Sequence, residues 1–474
     1  MLKKATMLLS GSALGSLLLL ARNLIVARMV SPEDYGIATT LAAAMSVVEM
    51  LSYIGLNQLI VIDKDGDTPE MQRGLQGFQV LRGCLSALVL FLAARPYARF
   101  VGAEEITWAY QMMAVVPLVS GFQHFDIHRL KRHMRFRPWT LVQSIPPILA
   151  VTAVLLTYLF VDDYRIMLVS LLVQALTFTA VSHLSAERRY ELGFDFPLMR
   201  RAAYFGWPLL LDGTLLFFVF YGERLVVTNR LGLVDAATFS WAITLTLTPT
   251  LIMENVVQTM FLPKLSAARN RPEDFRRLAV AAVEAGMATG ALLILGTQLI
   301  GGAAVSLLLG AKYAAVLPIL VPGAVLQAIR VCKTGLSVVS LSRERSGNSM
   351  ASNAFRVASL PISWMLVSHG GGLMTVIWVA IAAEVLGFLL MLQLTVRRAS
   401  FSHRWILPQG AAIAVLAALA LGIHALHPTA TTFDVFRYPG HWLLIVATLA
   451  ALSLMRSLGG YIFGRRIRIR PSDA

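Results

Sequence analysis

Long apolar runs, each about twenty residues, alternate with short polar segments along the whole chain, and this pattern constrains the fold more than any other feature. A helix needs about 20 residues to cross roughly 30 Å of hydrocarbon. By that ruler, spans are expected near 6–29, 36–62, 75–94, 107–125, 139–161, 165–184, 203–227 and 235–261. Further spans are expected near 278–300, 314–335, 348–369, 372–394, 405–425 and 440–457, about fourteen in all. The predicted class is an all-α integral membrane protein. Composition agrees, because only 14% of residues are charged and mean hydropathy is +0.68, whereas a soluble domain is about 25% charged.

A formal net charge of +15 raises the question of nucleic acid. A nucleic-acid binder gathers its cations on one polar face. Here they sit in short loops, as cytoplasmic loops do under the positive-inside rule. With both termini cytoplasmic, the inner side, helix ends included, takes 30 of the 41 Lys and Arg, the outer loops six, and the spans Arg22, Arg28, Arg82, Arg224 and Arg356. Clusters such as Arg129, Lys131, Arg132, Arg135 and Arg137, and the tail from Arg465 to Arg470, carry the bias. Lys3 and Lys4 followed by an apolar run resemble a signal peptide, but the run is long enough to span and no small-residue cleavage site follows. It is read as a retained first span.

Shifting the sequence by 201 residues lays Arg22–Arg28 on Glu223–Asn229 and Asp34 on Asp235 without gaps. The first span thus matches the seventh. An even number of spans per repeat predicts two six-helix lobes in a parallel pseudo-repeat, related about the membrane normal. The expected division is an N-lobe of spans one to six at 1–200, a C-lobe of spans seven to twelve at 201–400, and two further spans with a basic cytoplasmic tail at 401–474.

Ionisable groups inside spans are the candidates for function, since each costs about 2.5–3.5 kcal/mol on insertion scales and usually faces a cavity. Arg22 lies deep in the first span, while Arg28, near the outer interface, can snorkel. Glu223 and Arg224 occupy the equivalent place in the seventh span. Glu49, Arg82, Asp212, Glu254 and Arg356 are also embedded. Glu254 with Asn255 and Gln258 reads equally as polar glue between helices. Gln76, Gln79 and Arg82 form a stripe that cannot comfortably face lipid. Guanidinium groups in a low-dielectric cleft suit phosphate or pyrophosphate. Membrane carboxylates suit coupling to H+ or Na+, with Glu49, Glu223, Glu254 and Asp212 as candidates.

No P-loop or H-E-x-x-H motif occurs, and no cofactor or metal is implied. The run Asp63–Asp67 lacks the spacing of a calcium loop and reads as a solvated turn. Cys84 and Cys332 read as small buried hydrophobes. With no segment long enough for a catalytic domain, the chain is expected not to be an enzyme.

The stretch from Leu20 through Arg22-Asn23-Leu24-Ile25-Val26-Ala27-Arg28 to Ser31-Pro32-Glu33-Asp34-Tyr35-Gly36 resembles the opening of bacterial polysaccharide-repeat flippases. These are the O-antigen (lipopolysaccharide) and exopolysaccharide translocases of the multidrug/oligosaccharidyl-lipid/polysaccharide exporter superfamily. Phe205-Gly206-Trp207-Pro208-Leu209, the pair Glu223-Arg224 and Leu309-Gly310-Ala311-Lys312-Tyr313 fit in the same order. The resemblance implies two lobes around a central cavity and alternating access. Its cargo would be a polyprenyl-pyrophosphate-linked oligosaccharide, moved across the cytoplasmic (inner) membrane for surface polysaccharide biosynthesis, with a polymerase and other assembly proteins as partners. The first span is similar to lipid II flippases as well, where first-helix arginines line the cavity, which implies that role for Arg22 and Arg28. Asn23 stands where those relatives carry an acid. On this reading the pyrophosphate is held by Arg22, with Arg224, Arg82, Arg356, Arg28 and Asn23 as further cavity residues. The alternatives are a cation-coupled multidrug exporter of the same superfamily and a membrane glycosyltransferase or polymerase.

Overall fold

The computed structural model describes residues 2–51, 54–133, 135–343, 345, 347–399, 401–427 and 439–462, with side chains at all of these except 2–13, 48, 51, 62, 208, 212 and 462. Among them every regular element is a helix. The basic tail at 465–470, Arg437 and the side chain of Asp212 lie outside the described residues.

The chain divides into two compact units, Met1–Ala237 and Thr238–Ala474. The first contains α1 (Leu2–Met29), α2 (Pro32–Leu51), α3 (Leu56–Ile62), α4 (Pro69–Phe100), α5 (Thr107–Met112), α6 (Val115–Gly121), α7 (Asp126–Arg132), α8 (Arg137–Tyr158), α9 (Arg165–Leu184) and α10 (Phe196–Leu231). α11 (Leu233–Ala267) crosses the division. The second unit continues with α12 (Pro272–Leu308), α13 (Leu317–Ser342), α14 (Gly347–Ser368), α15 (Leu373–Arg398), α16 (Leu407–Leu426), α17 (Pro439–Ser453) and α18 (Arg456–Ile462). α10, the expected seventh span, packs on α2 within the first unit. The internal offset is visible in the elements: α2 starts at residue 32 and α11 at 233, a spacing of 201.

Eight described helices are long and apolar enough to cross a membrane, or nine with the bent α10. The remaining five expected spans correspond to α1, to α2 with α3, to α5 with α6, to α14 and to the fifteen-residue α17. Length and apolarity alone thus stop short of fourteen, and two expected spans are broken. The run 36–62 is interrupted before α3, where Gly55 adopts φ +62°, a left-handed conformation natural to glycine. The run 107–125 breaks at Met113 and Ala114, because Pro117 has no N–H for the Met113 carbonyl and its ring crowds that oxygen. α10 bends by 47° at Pro208, which has no backbone N–H to continue the helical ladder.

On α4 polar residues turn inward and large apolar ones outward, as suits a helix that faces lipid. Gln72, Gln76, Gln79 and Ser86 are buried, whereas Leu81, Leu85, Leu88 and Leu92 are exposed. Cys84 shares that exposed side, contrary to its reading as a buried group; its neighbours Leu81, Leu85 and Leu88 place it on the apolar exterior. Cys332 is buried as expected. Helices approach closely through glycine. A Cβ on Gly335 of α13 would lie 2.4 Å from the Val283 Cα of α12, and one on Gly286 would lie 2.5 Å from the Val331 carbonyl oxygen. Small residues serve membrane interfaces because dispersion and backbone proximity, not the hydrophobic effect, drive packing in lipid.

The loops around α7 in the first unit are tied by one carboxylate. Asp126, fully buried, accepts from Arg129 Nε at 2.6 Å and from the backbone N–H groups of Glu187 (2.7 Å) and Arg188 (3.2 Å). Burial opposes its ionisation, but these donors prevail and hold its carboxyl below the usual range. Asp67 accepts from His133 at 2.9 Å and pairs with Arg129 at 3.3 Å, and these contacts hold it low as well. Asp63 and Asp65 pair with Arg201, so the acidic 63–67 run is an arginine-binding turn rather than a merely solvated one.

Two predictions come from this packing. Gly335→Ala should lower thermal stability in detergent, whereas Gly296→Ala in α12, where a Cβ meets nothing within 4 Å, should raise it by up to about 1 kcal/mol. Asp126 is depressed in the folded state, so its contribution is present above about pH 4 and is lost as pH falls through the folded value. Asp126→Ala should cost about 3 kcal/mol at neutral pH, since Arg129 keeps a buried charge. The deficit relative to wild type should shrink below about pH 4 in melting curves.

Candidate functional site

In the first unit the resident charge is Arg22 of α1. Its side chain is nearly buried, with 6% of the residue exposed. Nη1 donates to Gln174 Oε1 on α9 at 2.8 Å, and Nε and Nη2 donate to Asn23 Oδ1 at 3.3 and 3.2 Å. Among the described residues these amides are its hydrogen-bond partners. Neutral acceptors aim the guanidinium without cancelling its charge, which leaves it able to attract an anion.

Arg224 of α10 converges on the same place. Tyr35, at the start of α2 and 4% exposed, lies within electrostatic reach of both Arg22 and Arg224. Arg224 sits over the Tyr221 ring at 5.5 Å, and its Nε is buried without a hydrogen-bond acceptor among the described residues. Ser46 donates to the Tyr221 hydroxyl at 2.9 Å and so ties α2 to α10. Glu223 is buried beside Arg224 in the chain. Two cations, two tyrosines and few carboxylates make this a positive, hydrogen-bonding environment within membrane-spanning helices.

The other expected residues lie elsewhere. Arg28 is exposed at the end of α1. Arg82 on α4 donates to Gln79 at 3.2 Å and lies within reach of Glu49, which is exposed. Both Gln79 and Arg82 line a cavity of about 140 Å³. Arg356 and Glu254 belong to the second unit.

There the sequence reading was incomplete. Glu384 of α15, 2% exposed, is held between Lys333 Nζ of α13 at 2.6 Å and Arg356 Nη1 of α14 at 2.9 Å. Lys333 also donates to Asn353 at 3.1 Å. Glu254 of α11 faces Arg330 at 3.8 Å and accepts from Thr334. Three cations thus meet two carboxylates. Arg330 and Lys333 had been counted with the cytoplasmic charge, yet they sit well inside α13. Glu384 stands alone in the apolar run of α15, a signal that was present in the sequence and passed over. Asn255 and Gln258 are exposed and do not join Glu254 in this cluster. Gln174, which aims Arg22, carries no local signal beyond being an amide in an apolar helix.

Comparison with known proteins follows the geometry. A family model described as polysaccharide biosynthesis protein matches residues 25–318. The succinoglycan biosynthesis transport protein ExoT of Rhizobium meliloti (strain 1021) is 27% identical over 306 residues, which is 62% of this chain and 60% of that protein. The matched region therefore spans less than two thirds of that relative's length. Among solved structures, the lipid II flippase MurJ in an inward closed conformation superposes with a TM-score of 0.70 at 13% identity, covering 98% of this chain and all of that one. An inward-facing multidrug resistance MATE family transporter of the MOP superfamily gives 0.66 at 14% identity, over 82% and 97% of the two chains. At such identities the structures speak to fold alone, a polytopic helical transporter fold. The family match covers well over half of the chain, which is therefore a multi-pass membrane protein of the polysaccharide biosynthesis protein family.

Proposed function

We propose that the chain is a flippase that carries a polyprenyl-pyrophosphate-linked oligosaccharide across the bacterial cytoplasmic membrane by alternating access. The observation that carries this reading is Arg22, held by amides rather than by a carboxylate, with Tyr35 within electrostatic reach of both Arg22 and Arg224. A pyrophosphate bears the charge and the oxygen geometry that such guanidinium groups bind. Family membership and similarity to a succinoglycan transport protein support the polysaccharide pathway. The charge asymmetry supports cytoplasmic termini and an inner-membrane location. The lobes would follow the repeat, at about 1–200 and 201–400, and the chain would act by transport and not by catalysis. Work with a polysaccharide polymerase follows from the same role.

The multidrug alternative fits less well, because a cationic drug needs an acidic cavity, whereas Arg22 and Arg224 outnumber the one buried acid beside them, Glu223. A glycosyltransferase or polymerase would need clustered catalytic carboxylates, and in the second unit Glu254 and Glu384 face internal cations instead. We assign coupling to H+ or Na+ to Glu49 and Glu223, two embedded carboxylates of the unit that holds the arginines.

Proteoliposomes scoring lipid-linked sugar translocation test the anchor. Arg22→Ala should slow transport by about ten- to a hundredfold, the worth of one charge-assisted hydrogen-bond set, with Arg22→Lys between. Transport by Arg22→Ala at the wild-type rate would contradict the reading. For the second unit, Glu384→Gln should lower stability by about 3–5 kcal/mol, because Lys333 and Arg356 would be left as buried like charges. Melting temperature and folded yield are the readouts, and Lys333→Met placed with Glu384→Gln should recover part of the loss.

A further inference from the structure

A second recess in the first unit lies in register with the arginine anchor. α9 supplies Gln174, which holds Arg22, and one turn later Phe178, which lines the cavity of about 140 Å³. Four residues on a helix share a face and are separated by about 6 Å along the axis. The cavity lining therefore includes a residue one helical turn from Gln174, the acceptor that holds Arg22.

Its lining has the composition that sugars require. A pyranose ring presents apolar C–H faces together with hydroxyls that both donate and accept. Trp139 and Phe178 supply apolar aromatic surface, and Asn57, Gln79 and Gln123 supply amides able to do both. Arg82 adds a fork of donors. The amides are held by long bonds that a hydroxyl can replace: Gln79 Nε2 to the Ser120 carbonyl at 3.3 Å, Arg82 Nε to Gln79 Oε1 at 3.2 Å, and Gln123 Nε2 to His128 Nε2 at 3.1 Å. Burial, with Lys131 nearby, pushes the His128 imidazole down to about 3, so at physiological pH it is a neutral donor and acceptor. At about 140 Å³ the recess is small beside the roughly 300–1,000 Å³ usual for ligand pockets, which suits one ring better than an oligosaccharide. The larger recess of the second unit, about 420 Å³, is lined by aliphatic side chains, threonines and glycines with no charged group, and offers a sugar little.

We infer that this cavity is the subsite for the single sugar ring joined directly to the pyrophosphate, read by Gln79, Gln123, Asn57 and Arg82 against Trp139 and Phe178. The inference rests on the flippase reading above. It adds a selectivity element: the first sugar is inspected on the cytoplasmic side of the arginines, while later sugars are not.

Calorimetric titration of the full-length chain in nanodiscs separates the two ideas. The probes are inorganic phosphate, inorganic pyrophosphate, and the 1-phosphates of glucose, galactose and N-acetylglucosamine. At least one hexose 1-phosphate should bind about tenfold more tightly than inorganic phosphate, a difference of about 1.4 kcal/mol. Gln79→Ala and Trp139→Ala should each erase that gain while leaving pyrophosphate affinity unchanged, which also shows that the variants are folded. Arg22→Ala should weaken every phosphate-bearing probe. Pyrophosphate binding that depends on Arg22 but gains nothing from any sugar, or a gain that survives both cavity variants, overturns the subsite and leaves the anchor standing. Pyrophosphate that fails to bind, or binds regardless of Arg22, overturns the anchor, and the subsite falls with it.

Discussion

A charge left in hydrocarbon is the one state that this protein cannot tolerate, and most of its architecture answers that constraint. Arg22 is wrapped by Gln174 and Asn23. Glu384 lies between Lys333 and Arg356. What differs is the kind of partner. Where the partner is an opposite charge, the result is a structural tie. Where the partners are amides, as at Arg22, net charge survives, and that is the condition the proposed anion site requires.

The second requirement is that helices carrying such groups approach closely enough to satisfy them. Glycine contacts between α12 and α13, and between α4 and α6 at Gly83 and Gly121, bring backbones within reach of each other. Breaks at Gly55 and at Met113 under Pro117 turn the chain where a straight helix would have carried the neighbouring segments past one another. Such irregular backbone is tolerated at membrane depth only when its polar groups are buried in protein or wet. The Gly55 break lines the small polar cavity, consistent with that rule.

Much of this was legible in the sequence, and the reasons differ by residue. The class of fold follows from run length and charge placement, because lipid thickness imposes a single ruler. Arg22 and the Glu223-Arg224 pair stand out because ions are rare in apolar runs and because the 201-residue offset aligns them. Gln76 and Gln79 were rightly refused to lipid, and both are buried. By contrast, Arg330 and Lys333 lie in the last turns of the expected span 314–335 and so pass for cations at its cytoplasmic end, whereas α13 runs on to Ser342. Glu384 was visible but had no sequence neighbour to mark it, since its partners come from α13 and α14. Gln174 is a long-range partner of Arg22, 152 residues away, and no local pattern encodes that pairing. Broken spans were missed because apolarity continues smoothly through Gly55 and Pro117 while backbone geometry does not.

The central claim is that position 22 faces water and anions although it lies within a membrane span. Thiol accessibility measures this directly: Arg22→Cys placed in a chain with Cys84→Ser and Cys332→Ser, probed in intact vesicles with a small charged methanethiosulfonate. The account predicts ready labelling, slowed by added inorganic pyrophosphate when Arg224 is kept. A thiol at position 22 that reacts with membrane-soluble reagents but never with the charged one would place this side chain against lipid and contradict the account.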